Sequence, residues 1–222
     1  MTAPSTTGAT AGPTAGPTPS PSPGPVDGLV DGDEPVVLLD DAGRAIGTRT
    51  KLAVHGADTP LHLAFSCHLI VGYGVLLTRR AAVKRTFPGV WTNAFCGHPL
   101  PGERLRDAVH RRARHELGLE VTDLRLVLPG FRYRAEAGGL VEHEWCPVLV
   151  ARPVALEVLA PAPQEVDETA VVPWSELVER TPYDDSLSPW VREQVPLLAA
   201  LGDGPDRWPE ADPAGLPHAL TW

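Results

Sequence analysis

Five side chains in the sequence have the chemistry of a divalent-metal site. Glu142 and Glu144 lie two residues apart in a strand-like run, so both carboxylates point to one face while His143 points to the other. Like charges on one face are costly unless a cation or solvent separates them. Three imidazoles would complete a site for Zn²⁺ or Mn²⁺, namely His55, His62 and His98. Spacing alone leaves open that these histidines are surface residues.

The remaining histidines have no comparable neighbours, and we interpret them as structural or solvated: His68, His110, His115 and His218. Cys96 differs from the other two cysteines because Gly97 and His98 follow it directly. Glycine permits a close backbone approach. A lone cysteine is more often a small buried hydrophobe, but these neighbours favour a site. Cys67 and Cys146 lie in apolar patterns that are typical of the core.

A predicted helix from Glu103 to Leu117 carries two charged side chains on its apolar stripe. It follows a Pro-Gly turn and ends before Gly118. The helical period places Arg112 and Glu116 on the stripe formed by Leu105, Val109 and Ala113. Charged groups are rarely buried unless they are paired or functional. An Arg112–Glu116 ion pair is the structural alternative to a binding role.

The spacing around this helix resembles the Nudix box, a loop–helix–loop that binds diphosphates through divalent cations. The residues in this frame are Gly97, Glu103, Arg111, Ala113, Glu116 and Gly118-Leu119. Arg112 and His115 replace acids that the box usually has. A hydrolase needs several carboxylates to hold Mg²⁺ and activate water. The pattern therefore favours diphosphate binding over ordinary Nudix hydrolysis.

Basic residues cluster in the first half of the sequence. A solvated face is the default interpretation of such a run, but guanidinium and ammonium groups also bind phosphate well. If a diphosphate binds, these residues are its candidate contacts: Lys51, Arg79, Arg80, Lys84 and Arg85.

Composition limits the class of protein and its partners. Hydrophobic residues make up 43% and charged residues 21%, which is ordinary for a globular core. The net charge of −9 provides no general field for a polyanion, so we expect no nucleic-acid partner. Three cysteines without a secretory segment indicate a cytoplasmic protein. No apolar run is long enough to span a bilayer, so we also expect no membrane association.

The chain divides into three parts by composition. Residues 1–34 are predicted to be a disordered Pro/Thr/Ala/Gly leader, because residues 2–25 contain only Thr, Ala, Pro, Ser and Gly. Residues 35–201 are predicted to fold. Residues 202–222 are predicted to form an irregular tail, with Trp208 and Trp222 docked on the body.

Strand-like runs dominate the predicted domain, which indicates an α+β class with a mixed β-sheet layered between helices. A second helix is predicted over Trp190–Leu201, capped by Ser188-Pro189. Pro196 should kink or divide it. The runs predicted as strands are Val36–Leu39, His62–Val71, Val75–Arg79, Leu124–Leu128, Phe131–Ala135, Leu140–Val150 and Val154–Leu159.

Longer stretches, from Val36 to Leu201, resemble the type 1 isopentenyl-diphosphate isomerases, which have a Nudix-like fold. Cys-Gly-His-Pro followed by Glu-x-Glu is specific, because a hydrolase has no use for these motifs, and the altered box is itself expected of this family. The matching stretches include Lys51-Leu-Ala-Val-His55, Phe87-Pro-Gly-Val-Trp-Thr-Asn93, Cys96-Gly-His-Pro99, Phe131-Arg-Tyr-Arg-Ala135, Val141-Glu-His-Glu-Trp-Cys-Pro147 and Ser188-Pro-Trp190.

The resemblance implies two metal ions and a diphosphate site. Glu116 would help to hold Mg²⁺ that bridges to the substrate diphosphate, which Lys51, Arg80 and Lys84 would contact. One tightly bound Mn²⁺ or Zn²⁺ would be held by His55, His62, His98, Glu142 and Glu144. The expected partner is a small prenyl diphosphate, and the expected oligomeric state is a monomer.

The resemblance also implies a reaction, the isomerisation of isopentenyl diphosphate to dimethylallyl diphosphate for isoprenoid biosynthesis. Cys96 and Glu144 would transfer protons on opposite faces of the isoprenyl unit, with Tyr133 assisting near Glu144. Trp190 would face the reacting carbons, where an indole stabilises a tertiary carbocation. Water must be excluded from such a cation, and the candidate residues are Trp91, Phe95 and Trp190.

Two other functions fit parts of the pattern. A Nudix diphosphohydrolase acting on a nucleotide or prenyl diphosphate would release phosphate or a monophosphate, and the missing box acids count against it. A non-catalytic binding module would have no need to retain the proton-transfer set of Cys96, Tyr133 and Glu144.

Overall fold

The computed structural model describes Met1 and residues 32–222, so most of the predicted leader lies outside the described residues. Within the described part, the helices are α1 (Lys51–Val54), α2 (Leu105–Leu117), α3 (Trp174–Arg180) and α4 (Pro189–Ala199). The strands are β1 (Pro35–Leu39), β2 (Ala45–Thr50), β3 (His62–Leu63), β4 (Phe65–Val71), β5 (Gly74–Arg80), β6 (Trp91–Thr92), β7 (Phe95–Gly97), β8 (Val121–Leu128), β9 (Arg132–Ala137), β10 (Leu140–Trp145), β11 (Val148–Pro153) and β12 (Val166–Pro173).

The strands form two mixed sheets, which confirms the predicted α+β class. One sheet has the order β2-β1-β3-β10-β9, and the other has the order β12-β5-β4-β11-β8, with β6 and β7 pairing β5 and β4. The pairs β3–β10 and β4–β11 are parallel, and the other pairs are antiparallel.

The larger sheet lies between α2 on one side and α3 with α4 on the other. Alternate residues of β4 and β11 point to opposite faces. Leu69 and Leu149 join the core cluster that contains the apolar side of α2. Ile70 and Val150 join the cluster that contains the apolar sides of α3 and α4. Helix α2 ends at Gly118, whose φ of 64° lies in the left-handed region that glycine favours.

Two predicted strands are each divided between the sheets. The run His62–Val71 becomes β3 and β4, and the run Leu140–Val150 becomes β10 and β11. In each case the first piece belongs to the five-stranded sheet and the second piece to the seven-stranded sheet. The chain therefore crosses twice, in parallel, at the place where the sheets meet. This junction brings residues from both sheets within reach of one another.

Other local predictions differ from the structure. The predicted strand Val154–Leu159 is wrong, because Leu156–Val158 form a 3₁₀-helix whose residues are not buried. Pro196 does not divide α4, which runs unbroken from Pro189 to Ala199. Helix α4 begins as predicted, since Ser188 Oγ accepts a hydrogen bond from the Val191 backbone N–H at 3.4 Å.

The C-terminal residues 202–222 pack on the folded body through two short 3₁₀-helices. Trp208 is 1% exposed, and its ring lies 4.8 Å from that of Trp174 in a T-shaped contact. Trp222 is partly buried, with the Arg106 guanidinium 4.0 Å from its ring centroid. None of the helices among residues 32–222 is long and apolar enough to cross a membrane.

Candidate metal centre and active site

Three imidazoles and one carboxylate meet at the junction of the two sheets. His55 follows α1, His62 begins β3, His98 follows β7 and Glu144 lies in β10. All four residues are buried, and one ligand atom from each lies within 4.8 Å of the others. The parallel pairing of β3 with β10 sets His62 directly opposite Glu144. The structure thus brings together four of the five residues predicted to hold one metal ion.

The ring nitrogens of this cluster are arranged for a cation. His55 Nδ1 lies 3.0 Å from the Lys51 carbonyl oxygen, and His62 Nδ1 lies 2.9 Å from the Pro60 carbonyl oxygen. A carbonyl only accepts, so each Nδ1 carries the hydrogen and each Nε2 is left with a free lone pair. Metal-binding histidines are oriented in this way.

The remaining polar atoms of the cluster lack direct partners. His62 Nε2 and His98 Nε2 each lie 3.5 Å from Glu144 Oε1, which is too long for a strong hydrogen bond. Among the described residues, His62 Nε2 and both ring nitrogens of His98 are buried without a hydrogen bond. Such orphaned atoms are rare in folded proteins unless water or an ion satisfies them. The donor set fits a divalent cation.

The electrostatics of His98 and His55 agree with that fit. Burial lowers the pKa of His98 to about 3, so its imidazole is neutral near pH 7, as a metal ligand must be. Burial also lowers the pKa of His55. Burial would lower the pKa of His62, but the Glu144 carboxylate raises it, so a cation would compete with a proton at that ring. Burial alone would raise the pKa of Glu144, but the His62 ring directly opposite holds it well below its usual range. Glu144 is therefore a carboxylate rather than a carboxylic acid.

Glu142 shares the predicted face with Glu144 but has a different side-chain partner. It is buried on the same face as Glu144, but its Oε2 accepts a hydrogen bond of 2.8 Å from the Tyr133 hydroxyl. It is not part of the four-residue group whose ligand atoms lie within 4.8 Å. Tyr133 is paired with Glu144 in the backbone register, yet its hydroxyl contacts Glu142.

A cavity of about 350 Å³ lies beside this cluster. That volume suits a small organic ligand. Its lining contains most of the predicted site residues, and these are Lys51, His55, Arg80, Lys84, Cys96, His98, Glu116, Tyr133, Glu142, Glu144 and Trp190. His62 is 0% exposed and lies behind the lining. The basic side chains and the proton-transfer candidates therefore share one cavity.

The apolar side of the cavity contains Trp190, which is 2% exposed. Its ring centroid lies 5.6 Å from that of Tyr133 and 5.4 Å from that of Phe87. Trp91 and Phe95, the other residues proposed to exclude water, do not line the cavity. Phe95 instead packs in the core, 6.2 Å from the ring of Phe65.

The charged side of the cavity is held by a buried ion-pair network. Arg112 Nη2 lies 2.6 Å from Glu116 Oε1, so the ion pair foreseen on the stripe of α2 is present. The same guanidinium lies 3.2 Å from Glu165 Oε1, and Glu165 also pairs with Lys84. Burial raises the pKa of Glu116 above its usual value. Glu165 was not foreseen, because it follows a Pro-rich stretch with no periodic pattern.

Arg80 has a structural role besides lining the cavity. Its Nε and Nη2 donate to the backbone carbonyls of Phe87 at 3.1 Å and Thr86 at 2.8 Å. Its guanidinium carbon lies 5.6 Å from the Trp190 ring centroid. Arg80 thus fixes the loop after β5 against the apolar side of the cavity. Arg85, one of the candidate diphosphate contacts, also lines the cavity. Gln164 lines it too, although the sequence did not single it out.

Comparisons with known proteins define the class. Residues 60–194 match the family model described as NUDIX domain. The fold is similar to that of DR0079 from Deinococcus radiodurans, with a TM-score of 0.58 and 17% identity over 74% of this chain and 98% of that chain. This likeness shows the fold alone. The chain is a NUDIX-domain protein with a buried His/Glu cluster beside its cavity.

Two curated relatives narrow the family. The chain is 57% identical to the isopentenyl-diphosphate Delta-isomerase of Mycolicibacterium vanbaalenii over 173 residues. This aligned stretch covers 77% of this chain and 94% of that protein. It is 53% identical over 191 residues to the isopentenyl-diphosphate Delta-isomerase of Saccharopolyspora erythraea, which is 85% of this chain and 97% of that protein. The chain belongs to the isopentenyl-diphosphate Delta-isomerase family.

Proposed function

We propose that this protein isomerises isopentenyl diphosphate to dimethylallyl diphosphate. One observation carries the proposal: a single cavity is lined by the Cys96 thiol, the Glu144 carboxylate and the Trp190 indole. The reaction needs one group to protonate the alkene and another to remove a proton from the neighbouring carbon. It also needs a surface that tolerates the tertiary carbocation formed between these steps.

The proton-transfer pair is Cys96 and Glu144. Burial raises the pKa of the Cys96 thiol to about 12, so the thiol is neutral near pH 7. Glu144 is ionised, for the reasons given above. Positioned acid–base groups contribute about 10²–10⁴-fold each to a rate. Trp190 presents an indole that stabilises a desolvated cation by about 2 kcal/mol.

The diphosphate end of the substrate is assigned to the basic side of the cavity. Lys51, Arg80 and Lys84 line this side, and Glu116 is the nearby carboxylate for Mg²⁺ bound to the substrate. Arginine offers paired donors and lysine a point charge to phosphate oxygens. The basic groups here would allow an acidic chain with a net charge of −9 to bind an anion.

The His/Glu cluster is proposed to hold one Mn²⁺ or Zn²⁺ through His55, His62, His98 and Glu144, with Glu142 adjacent. When bound, the ion would fix the Glu144 carboxylate and lower its basicity. The imidazole and carboxylate donors suit either ion. Tyr133 then orients Glu142 through their 2.8 Å hydrogen bond, which keeps that carboxylate beside the cluster.

Composition supports further parts of the proposal. We infer a cytoplasmic monomer with a small-molecule substrate and no nucleic-acid partner, because the cysteines are free and the chain is acidic. Residues 1–34 are proposed to be a leader outside the catalytic domain. Light scattering of the purified protein would test the monomer directly.

The reaction itself is tested by proton NMR of isopentenyl diphosphate with metal-replete protein and Mg²⁺ in D₂O. Dimethylallyl diphosphate that carries deuterium is the expected product. Cys96→Ala and Glu144→Gln should each abolish its formation, while Cys67→Ala, in the core, should retain activity. Release of phosphate or prenyl monophosphate without isomerisation would instead indicate a hydrolase. If the substrate stayed unchanged, the protein would be a binding module rather than an enzyme.

A further inference from the structure

Asn93 lies between two groups of the proposed reaction and contacts both. It is 0% exposed and lies between β6 and β7. Its side-chain atoms lie 3.3 Å from Cys96 Sγ, and its Oδ1 lies 3.1 Å from Trp190 Nε1. No other step of the proposed mechanism uses this side chain, and an amide is costly to bury unless it is hydrogen-bonded.

The orientation of the Asn93 amide follows from its neighbours. Nδ2 lies 3.0 Å from the Cys67 carbonyl oxygen and 2.7 Å from the Phe95 carbonyl oxygen. Carbonyls only accept, so both amide hydrogens are used there. The opposite orientation would place Oδ1 against two acceptors and Nδ2 against the Trp190 N–H. Oδ1 therefore faces Cys96 and Trp190. It is the nearer acceptor for the thiol S–H, at 3.3 Å, and Ser66 Oγ lies 3.4 Å from the same sulfur.

Thr92 completes the connection to Trp190. Trp190 Nε1 donates to Thr92 Oγ1 at 2.8 Å, and the Thr92 hydroxyl donates to Asn93 Oδ1 at 2.9 Å. Each donor of the network then has an acceptor. Trp190 donates to Thr92, and both Thr92 and Cys96 can donate to Asn93 Oδ1. Fully satisfied buried networks of this kind hold their members in one arrangement.

We propose that Asn93 and Thr92 are positioning residues that fix the Cys96 thiol and the Trp190 indole relative to each other. This inference rests on the proposed isomerase function. The Asn93 amide oxygen contacts both the Cys96 thiol, which transfers a proton, and the Trp190 indole, which faces the resulting carbocation. Neither Asn93 nor Thr92 lines the cavity, so both act through the residues that they hold.

Thr92→Val is the principal test. It keeps the shape of the side chain and removes the hydroxyl that is the nearer acceptor for Trp190 Nε1, at 2.8 Å against 3.1 Å for Asn93 Oδ1. Misplacement of a reacting group by about 1 Å can lower the rate about 100-fold. We expect kcat to fall about 10- to 100-fold, while the KM and the metal content per chain stay near wild-type values. Thr92→Ser restores the hydroxyl and should recover most of kcat.

Thr181→Val is the matched control. Thr181 is also a buried threonine, 3% exposed, and its hydroxyl donates to the Leu177 carbonyl at 2.6 Å, away from the cavity lining. This variant should lose stability and keep kcat. Equal kcat losses in Thr92→Val and Thr181→Val, or a wild-type kcat in Thr92→Val, would overturn the positioning role. An inactive wild-type protein would instead refute the proposed function.

A second measurement needs no turnover. The infrared S–H stretch of Cys96 can be isolated as the difference between wild-type protein and Cys96→Ala. In Asn93→Ala the thiol loses the Oδ1 acceptor and keeps only the slightly longer contact with Ser66 Oγ, so this band should move to higher frequency, as expected for a weaker hydrogen bond. An unchanged band would show that Asn93 does not hold the thiol, whatever the activity of the protein.

Discussion

Gly97 lies so close to Arg112 that no side chain fits between them. A Cβ at Gly97 would come within 2.6 Å of Arg112 Cγ and 3.1 Å of Arg112 Cδ. Moving Arg112 away would disturb the ion pairs of its guanidinium with Glu116 and Glu165. The strand end that carries Cys96 and His98 is therefore seated directly on α2.

Gly97→Ala should impair both stability and activity. The added methyl group must displace Arg112 or the β7 backbone, and overpacking of this kind costs about 1–3 kcal/mol. Because Cys96 and His98 flank the glycine, kcat and metal content should fall as well. Gly130→Ala is the matched control, since nothing lies within 4 Å of a Cβ at Gly130. Urea denaturation and isomerase assays on both variants would check this. A Gly97→Ala variant with wild-type stability and activity would contradict the prediction.

Glu165→Gln should destabilise the protein by about 3 kcal/mol. The Glu165 side chain is 0% exposed and pairs with both Lys84 and Arg112, so the amide would leave two buried cations with one carboxylate fewer. Glu168→Gln serves as the control. Its pair with Arg79 has a similar distance of 3.1 Å but is 40% and 56% exposed, and it should contribute under about 1 kcal/mol. Equal urea midpoints for the two variants would rule out a special role for Glu165.

Removal of a cluster histidine should remove the metal. His98→Ala should weaken binding of Mn²⁺ or Zn²⁺ by at least about tenfold, since even partners of metal ligands have effects of that size. His143→Ala is the control, because His143 lies in β10 beside Glu144 but on the opposite face. The metal content after dialysis, measured by mass spectrometry, distinguishes the two. Equal metal content in both variants would place the ion elsewhere.

The free energy of unfolding should decrease as the pH falls, because His68 is buried as a neutral imidazole. Burial lowers the pKa of His68 from 6.5 to about 4, so between these values the unfolded chain binds a proton that the native protein does not. The stability that the neutral His68 allows is fully present above pH 6.5 and is lost progressively as the pH falls toward about 4. His68→Leu should therefore reduce the stability difference between pH 7 and pH 4.5 by about 2–3 kcal/mol. Parallel stability curves for the two proteins would show that His68 does not titrate as described.

Patterns local in sequence predicted much of the candidate site. The alternation in β10 placed Glu142 and Glu144 on one face, and both are buried there. The period of α2 placed Arg112 and Glu116 on its buried stripe. Local patterns could not predict that Glu142 bonds Tyr133 while Glu144 joins the histidines, because that depends on side-chain geometry across strands.

Long-range relationships left no mark on local patterns. The crossing between sheets occurs within runs whose residues are almost all buried, so no change in the burial pattern marks it, although Pro147 separates β10 from β11. Strand β12 was missed because only two of its residues, Val166 and Val172, are fully buried, which leaves a weak alternation. The network around Asn93 is also non-local, since its partners come from β4, β7 and α4.

The C-terminal residues offer the last prediction, because they pack as part of the fold. Trp208 is buried against Trp174, and Arg125 donates to the backbone carbonyls of Trp208 and Pro205. Trp208→Ala should cost about 3–5 kcal/mol by leaving a cavity. Trp222→Ala should cost less, about 1 kcal/mol, because Trp222 is only partly buried and stacks with Arg106. If urea denaturation gave Trp208→Ala a wild-type midpoint, residues 202–222 would be dispensable and the folded domain would end near Leu201.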